Sequence, residues 1–209
     1  MHRAHHLYAD LPRDPHSPRF GLPNAFFFWM WKPSYPSYID PASLCKDIFN
    51  DPLYRFLEQG GNWYKAHILT ILIGVAVRIP ILICFGWVIA LASLMAAGTV
   101  VLATLFVNVV GHSTRFGYRT YFSDDDSVNI WWAALISLGE GWHNNHQSFP
   151  HSARIGYKWY EFDFSWLVLR ILQSMGLVDK LHQIPQTQLI KSELKERQFA
   201  QQKTLRKSA

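Results

Sequence analysis

Residues 66–110 read AHILTILIGVAVRIPILICFGWVIALASLMAAGTVVLATLFVNVV and are almost wholly apolar. A single membrane span needs roughly 20 apolar residues, and this stretch is about twice that length. Gly86 and Trp87 offer a mid-point, so the pattern predicts one span over about residues 66–85 and a second over about 88–110. The sequence therefore predicts a mainly α-helical membrane protein with a two-helix transmembrane hairpin. The alternative is a buried helical pair in a soluble protein.

Two residues disturb the first predicted span. Arg78 carries a charge that is costly in lipid unless it reaches the interface or faces protein, and Pro80 kinks a helix. No charged loop separates the spans, so the hairpin is expected to return to the side from which it starts. Basic residues flank the hairpin on that side, which makes it the cytoplasmic side. We therefore expect an integral membrane protein whose helical cap, with the chemistry, is cytoplasmic.

The composition narrows the choice of partners. The 209 residues carry a formal net charge of +5, which suits either nucleic acid or an anionic membrane surface. No known nucleic-acid-binding motif is present, so the membrane is the expected partner and nucleic acid is not. Cys45 and Cys84 lie far apart and form no metal or redox motif. Residues 1–183 are expected to form one domain, followed by a charged tail over 184–209 that is helical or disordered.

Six of the ten histidines lie in three clusters around the apolar stretch. The first cluster has i, i+3, i+4 spacing, the second pairs an asparagine with a histidine at i+4, and the third has i, i+3 spacing. The residues are His2, His5 and His6, then Asn108 and His112, then His143 and His146. These spacings place side chains on one face of a helix. If the hairpin returns to its starting side, all three clusters share one membrane face.

The type of metal follows from the donor atoms. Imidazole suits iron, zinc and copper. A structural zinc site usually recruits cysteine, and a zinc peptidase has glutamate inside a His-Glu-x-x-His motif, which this sequence lacks. Many neutral imidazoles with few thiolates leave a centre that can take up oxygen. A histidine-rich di-iron site fits this pattern best.

The motifs resemble those of a known family. HRAHH at residues 2–6, followed by DPHSP at 14–18, resembles the second histidine box of the membrane fatty acid desaturases and its trailing segment. Asn108 and His112, followed by GYR at 117–119, resemble that family's asparagine–histidine motif. GEGWHNNH at 139–146, followed by FPHSAR at 149–154, resembles its third box. The match covers about residues 1–180 in the right order and is similar to the bacterial acyl-CoA or acyl-lipid delta-9 type.

The resemblance implies a cytoplasmic di-iron centre that activates O2 and removes two hydrogens from a saturated acyl chain. It implies an acyl-CoA or acyl-lipid substrate and a ferredoxin or cytochrome b5-like electron donor. The implied iron ligands are His2, His5, His6, His112, His143 and His146, with Asn108 as a water-mediated or weak ligand. In the family a narrow kinked tunnel holds the acyl chain. Here Trp131, Trp132 and Trp142 are candidates to line it.

The sequence departs from the family pattern in two ways. The third box normally ends in two histidines, whereas this chain has Gln147 after His146. The amide oxygen of glutamine is a weaker iron ligand than imidazole. His151 is a candidate to take the place of the missing histidine. An earlier histidine box with two membrane helices is expected before residue 2, so the chain is expected to be an N-terminally truncated desaturase that is inactive by itself. The alternatives are a related histidine-box hydroxylase or oxygenase and a non-catalytic pseudo-enzyme fragment.

Overall fold

The computed structural model describes residues 2–31 and 37–208, with side chains through residue 206. The described residues are mainly helical, which confirms the predicted class, and their only β-pairing consists of isolated bridges that join Asn129 to Tyr118 and to Trp142. The helices are α1 (His2–Tyr8), α2 (Leu22–Phe26), α3 (Pro41–Leu44), α4 (Lys46–Phe49), α5 (Pro52–Glu58), α6 (Trp63–Gly111), α7 (Trp131–Ile136), α8 (His143–Ser148), α9 (Phe164–Ser174) and α10 (Gln186–Ser208).

Local capping explains where several of these helices begin. Asp40 and Asp51 accept hydrogen bonds from the backbone N–H groups of the next turn and are each followed by proline, so α3 and α5 start at these residues. Asn62 caps α6 through Lys65 N at 3.0 Å. Asp163 caps α9 through Trp166 N at 2.8 Å. The described elements between residues 18 and 61 are short helices and turns.

Helix α6 is the one element among the described residues that is long and apolar enough to cross a membrane. Its helical backbone is interrupted at Gly86, which has φ 80° and ψ 173°. Only glycine adopts this conformation readily. The interruption coincides with the predicted mid-point, so the predicted spans over 66–85 and 88–110 lie on either side of it. That these halves form a transmembrane hairpin stays a prediction.

Contacts at several points of α6 show that the chain does not continue straight past Gly86. The Arg78 guanidinium donates to Gly74 O at 2.7 Å and to Ser93 O at 3.4 Å. Near the two ends of α6, Trp63 Nε1 donates to Met30 O at 3.3 Å, and Asn108 Nδ2 donates to His16 Nδ1 at 2.9 Å. A straight α-helix would hold residues 63 and 108 about 65 Å apart, yet both contact the segment over residues 16–30.

A small core lies beyond the end of α6. Val107, Val128, Ile130 and Ala133 form one buried cluster, and Trp142 packs with Ala134 and Ile155 in a second. At Gly141 an added Cβ would lie 2.0 Å from Ala134 N, so only glycine permits this approach of the chain to α7. This core supports α8, the helix that carries the third histidine cluster.

Candidate metal centre

Three segments bring the predicted histidines together. Helix α1 carries the first cluster, the C-terminal end of α6 carries Asn108 and is followed by His112, and α8 carries the third cluster. The six histidines form two groups, in each of which the ligand nitrogens all lie within 4.8 Å of one another. We call His5, His112 and His143 the inner trio, and His2, His6 and His146 the outer trio.

The inner trio is buried. His5 is fully buried, and His112 and His143 are nearly so. The Nε2 atoms of His112 and His143 lie 3.1 Å apart. At Gly111, an added Cβ would lie 2.6 Å from the His143 ring, so this glycine allows the imidazole to pack directly against the end of α6. The arrangement concentrates imidazole nitrogens where water is excluded.

Two aspartates fix the orientation of the inner imidazoles. His5 Nδ1 donates to both carboxylate oxygens of Asp14, at 3.0 and 2.9 Å, and His112 Nδ1 donates to Asp10 Oδ2 at 2.7 Å. Burial raises the pKa of each carboxyl, but the bonds from histidine and from backbone N–H groups outweigh it and hold both pKa values below the usual range. Since the ionised carboxylates accept from Nδ1–H, the two Nε2 atoms keep their lone pairs for a metal.

The outer trio is more open. His2 is exposed, while His6 and His146 are half-buried. His2 Nε2 and His6 Nε2 lie 3.2 Å apart, and His6 Nδ1 is buried without a hydrogen-bond partner. Burial, together with the neighbouring histidines, lowers the pKa of His6 to about 3 and that of His146 to about 4. Both imidazoles are therefore neutral near pH 7, as metal ligands must be.

Two asparagines that lie between His143 and His146 anchor α8. Asn144 Oδ1 accepts from Thr120 N at 2.9 Å and from Tyr121 N at 3.0 Å. Asn145 Nδ2 donates to Ile155 O and to Glu161 Oε2, each at 2.8 Å. Both asparagines are fully buried. They occupy the helix face opposite His143 and His146 and so set the position of these two histidines.

A cavity of about 390 Å³ opens beside the two trios. Its apolar wall comes from α6 and from Trp29 and Met30, and its polar wall includes His16, Asn108 and Glu140. Asn108 Oδ1 and His16 Nε2 are buried without hydrogen-bond partners. Burial, with Asp163 nearby, raises the pKa of the Glu140 carboxyl. The site thus combines imidazole nitrogens with a partly open, largely apolar space of the size that holds small ligands.

The tryptophans proposed from the sequence do not line this cavity. Trp142 is buried in the core and donates through Nε1 to Phe162 O at 2.9 Å. Trp132 packs against the cluster of Val107 and its neighbours, and Trp131 is exposed. Trp29 contributes to the wall instead and contacts the His16 ring. Sequence spacing alone does not show which aromatic side chains line a cavity and which pack in the core.

Sequence reasoning also missed several residues. It named neither Asp10 nor Asp14 as a partner of histidine, and it gave no role to Asn145. A carboxylate within about one or two turns of a histidine cluster is the signal that could have found the aspartates, because metal-binding histidines commonly donate their second N–H to a carboxylate. His151 is exposed and belongs to neither trio, so it does not take the place of a ligand.

Comparison with known proteins identifies the family. A family model described as "Fatty acid desaturase" matches residues 1–173. The chain belongs to this family. This confirms the resemblance on which the ligand assignments rest, although the assignments themselves stay predictions.

Several curated desaturases are similar to this chain. An sn-1 stearoyl-lipid 9-desaturase from Anabaena variabilis is 38% identical over 182 residues, which are 84% of this chain and 61% of that protein. An sn-1 stearoyl-lipid 9-desaturase from Synechocystis sp. is 34% identical over 188 residues, which are 90% of this chain and 55% of that protein. An acyl-CoA 5-desaturase from Anemone leveillei is 34% identical over 183 residues, covering 84% and 52%. The chain thus spans about half to three fifths of the length of these desaturases.

Proposed function

We propose that this chain carries the metal-binding and acyl-binding part of a desaturase that introduces a double bond at delta-9 of a saturated acyl chain. The observation that carries the proposal is that the two histidine trios lie next to a largely apolar cavity whose wall includes His143 of the inner trio and His2 and His146 of the outer trio. Two of the similar desaturases are named as 9-desaturases of stearoyl lipids, which favours delta-9 and an acyl lipid over the acyl-CoA alternative. The activity is that of an oxidoreductase in lipid metabolism.

The proposed ligands of the iron pair are the six imidazoles of the two trios, with Asn108 as a water-mediated or weak ligand. The donor set fits a di-iron centre, because imidazoles converge in two groups and the Nδ1 atoms of His5 and His112 are already bonded to carboxylates. Bound iron would supply the activation of O2, with electrons from a ferredoxin or a cytochrome b5-like protein. Asp10 and Asp14 would hold the imidazole protons at Nδ1 and so keep the ligand orientation fixed.

The cavity would position the substrate. An acyl chain has no polar group near its ninth carbon, so only shape and apolar contact can hold the reacting C–H bonds in place. Trp29, Met30, Leu105 and Val107 supply such contacts next to the histidines. Asn108 is half-buried and lies between the apolar wall and His16, so it would limit the access of bulk water to the reacting carbons.

We also propose that α6 crosses the membrane twice as a hairpin that turns at Gly86. The contacts of Trp63 and Asn108 with the same neighbouring segment support this arrangement. Each half of α6 is close to the roughly 20 residues that one span requires. The bond from Arg78 to Ser93 O gives the charged side chain a partner on the other half. Lys65 and Arg115 flank the hairpin on the side of the histidines, which favours a cytoplasmic site.

The two cysteines provide a test of this topology. Cys84 is exposed and lies two residues before Gly86, whereas Cys45 follows Leu44, whose carbonyl accepts a hydrogen bond from Arg3 of the first histidine cluster. We expect a membrane-impermeant thiol reagent to label Cys84 from outside intact spheroplasts and Cys45 only after permeabilisation. Cys84→Ser and Cys45→Ser variants assign each signal. Labelling of both cysteines from the same side would contradict the hairpin.

The function itself is tested by exchange in a desaturase-deficient bacterial host. This chain replaces the matching segment of the Anabaena variabilis enzyme, and fatty acids are analysed for position of the double bond. We expect delta-9 monounsaturated lipid, and none from the same chimera with His143→Ala. A chimera that accumulates in the membrane and binds iron, yet forms no unsaturated lipid, contradicts the proposal. A hydroxylated product would indicate the related hydroxylase.

A further inference from the structure

Gln147 stands where the family pattern has a histidine, and its side chain lies against all three members of the inner trio. Its Nε2 atom is 2.8 Å from His5 Nε2, 3.4 Å from His112 Nε2 and 3.4 Å from His143 Nε2. Gln147 is buried. One amide group therefore faces three imidazole nitrogens at once, in the region where a metal would have to lie.

The bonds from two inner imidazoles to aspartates determine which of their nitrogens face this amide. His5 and His112 donate their Nδ1–H to Asp14 and Asp10, so each presents a bare lone pair at Nε2. An amide N–H₂ group is the matching donor for these lone pairs. Without a metal, Gln147 thus satisfies buried acceptors that would otherwise be unpaired and costly.

The same distances fit a fourth ligand. Four ligands at about 2.1 Å from a tetrahedral ion lie about 3.4 Å from one another. The inner amide atom of Gln147 is 2.8 to 3.4 Å from the three nitrogens, and two of those nitrogens are 3.1 Å apart. A half-turn of the terminal amide exchanges Nε2 for Oε1 at nearly the same place, and an amide oxygen is a neutral ligand for a cation.

We propose that Gln147 is a metal ligand of the inner trio through Oε1, and that its amide turns to donate N–H to the same imidazoles when no metal is bound. This inference rests on the proposed metal centre and goes beyond it. It assigns a role to the residue at which this chain departs from its family. It also explains how the buried lone pairs of the inner trio are satisfied in both states.

Two variants separate ligation from packing. Gln147→Leu keeps the approximate volume and removes both amide atoms, whereas Gln147→Glu offers oxygen only and can no longer donate N–H. Gln201→Leu and Gln201→Glu, at an exposed position of α10, are the matched controls. The full chain in detergent is titrated anaerobically with Co²⁺, followed by its visible absorption, and its unfolding temperature is measured with and without Co²⁺.

We expect Gln147→Leu to raise the dissociation constant of the tighter Co²⁺ site by about tenfold or more, as loss of a supporting ligand group typically does. Gln147→Glu is expected to bind Co²⁺ at least as tightly as the parent chain. Without metal it unfolds at a lower temperature, since its carboxylate faces lone pairs, so its stabilisation by Co²⁺ exceeds that of the parent. Both Gln201 variants behave as the parent chain does.

Two results would overturn the inference, and they differ from one another. If the parent chain binds Co²⁺ and Gln147→Leu binds it equally tightly, Gln147 is not a ligand, while the proposed metal centre stands. If neither the parent chain nor a Gln147→His variant binds Co²⁺, the metal centre fails and the role of Gln147 fails with it.

Discussion

The inner and outer trios use the same side chain but differ in what surrounds it. Every inner imidazole is buried, and two of them donate to ionised carboxylates. In the outer trio, His2 is exposed and His6 Nδ1 lacks a partner, and the described contacts include no carboxylate bonded to an outer imidazole. The inner trio is thus oriented before any metal binds. We therefore expect the two trios to bind metal with unequal affinity, the inner trio more tightly.

The largest expected effect comes from removing the carboxylate behind His5. Asp14 accepts from His5 Nδ1 and from the backbone N–H groups of Asp10 and His16. In Asp14→Asn the buried donors face a neutral amide, so we expect the free energy of unfolding to fall by about 2–4 kcal/mol. We also expect the inner site to lose about 10–100-fold in metal affinity while the outer site changes little.

The measurements are denaturant unfolding in detergent and metal titration. Asp124→Asn is the matched control, because Asp124 is an exposed carboxylate of the nearby loop. Equal stability of the two variants would show that the carboxylate does not orient the inner trio.

A second variant is expected to weaken both trios together. Asn145 joins α8 to Asn129, Ile155 and Glu161, and α8 supplies one histidine to each trio. Asn145→Ala leaves buried partners unsatisfied, so we expect unfolding to become easier by about 1–3 kcal/mol. Metal titration should then show weaker binding in both steps. The control is Asn50→Ala at an exposed position; weakening of one step alone would mean that α8 does not couple the trios.

A smaller effect is expected when only the outer trio is changed. His146→Ala removes a half-buried imidazole of the outer trio that has no carboxylate partner, so the weaker metal step should disappear while the tighter step is retained. His151→Ala removes an exposed histidine of the same segment and should leave both steps intact. Titration with Co²⁺ measures both. Loss of the tighter step in His146→Ala would reverse the assignment of the trios.

A further expected effect concerns the dependence of stability on pH. The pKa of His6 is about 3 and that of His146 about 4 in the folded chain, whereas an unfolded histidine has a pKa of about 6.5. Between these values the unfolded chain binds more protons, so the metal-free chain should lose stability as pH falls from 6.5 towards 4. Unfolding temperatures across this range test the sign. His146→Ala should flatten the slope, and a stability that rises on acidification would contradict it.

The sequence predicted the helical class, the break near Gly86 and the six histidines that come together. Periodicity suffices for these features because apolar spacing and i, i+4 pairs are local. Periodicity could not assign the histidines to the two trios, because His5 and His6 are adjacent in the chain yet belong to different trios. That division depends on which neighbour each imidazole meets after folding. For the same reason the sequence did not predict the hydrogen bond between Asp10 and His112, which are far apart in the chain.

The most direct test of the unequal trios is an anaerobic Fe²⁺ titration of the full chain in detergent, compared with its His5→Ala and His2→Ala variants. We expect the parent chain to bind two equivalents of Fe²⁺ in two separate steps. His5→Ala should retain only the weaker step, and His2→Ala only the tighter one. The same affinity in both variants, or no iron in the parent chain, would contradict it.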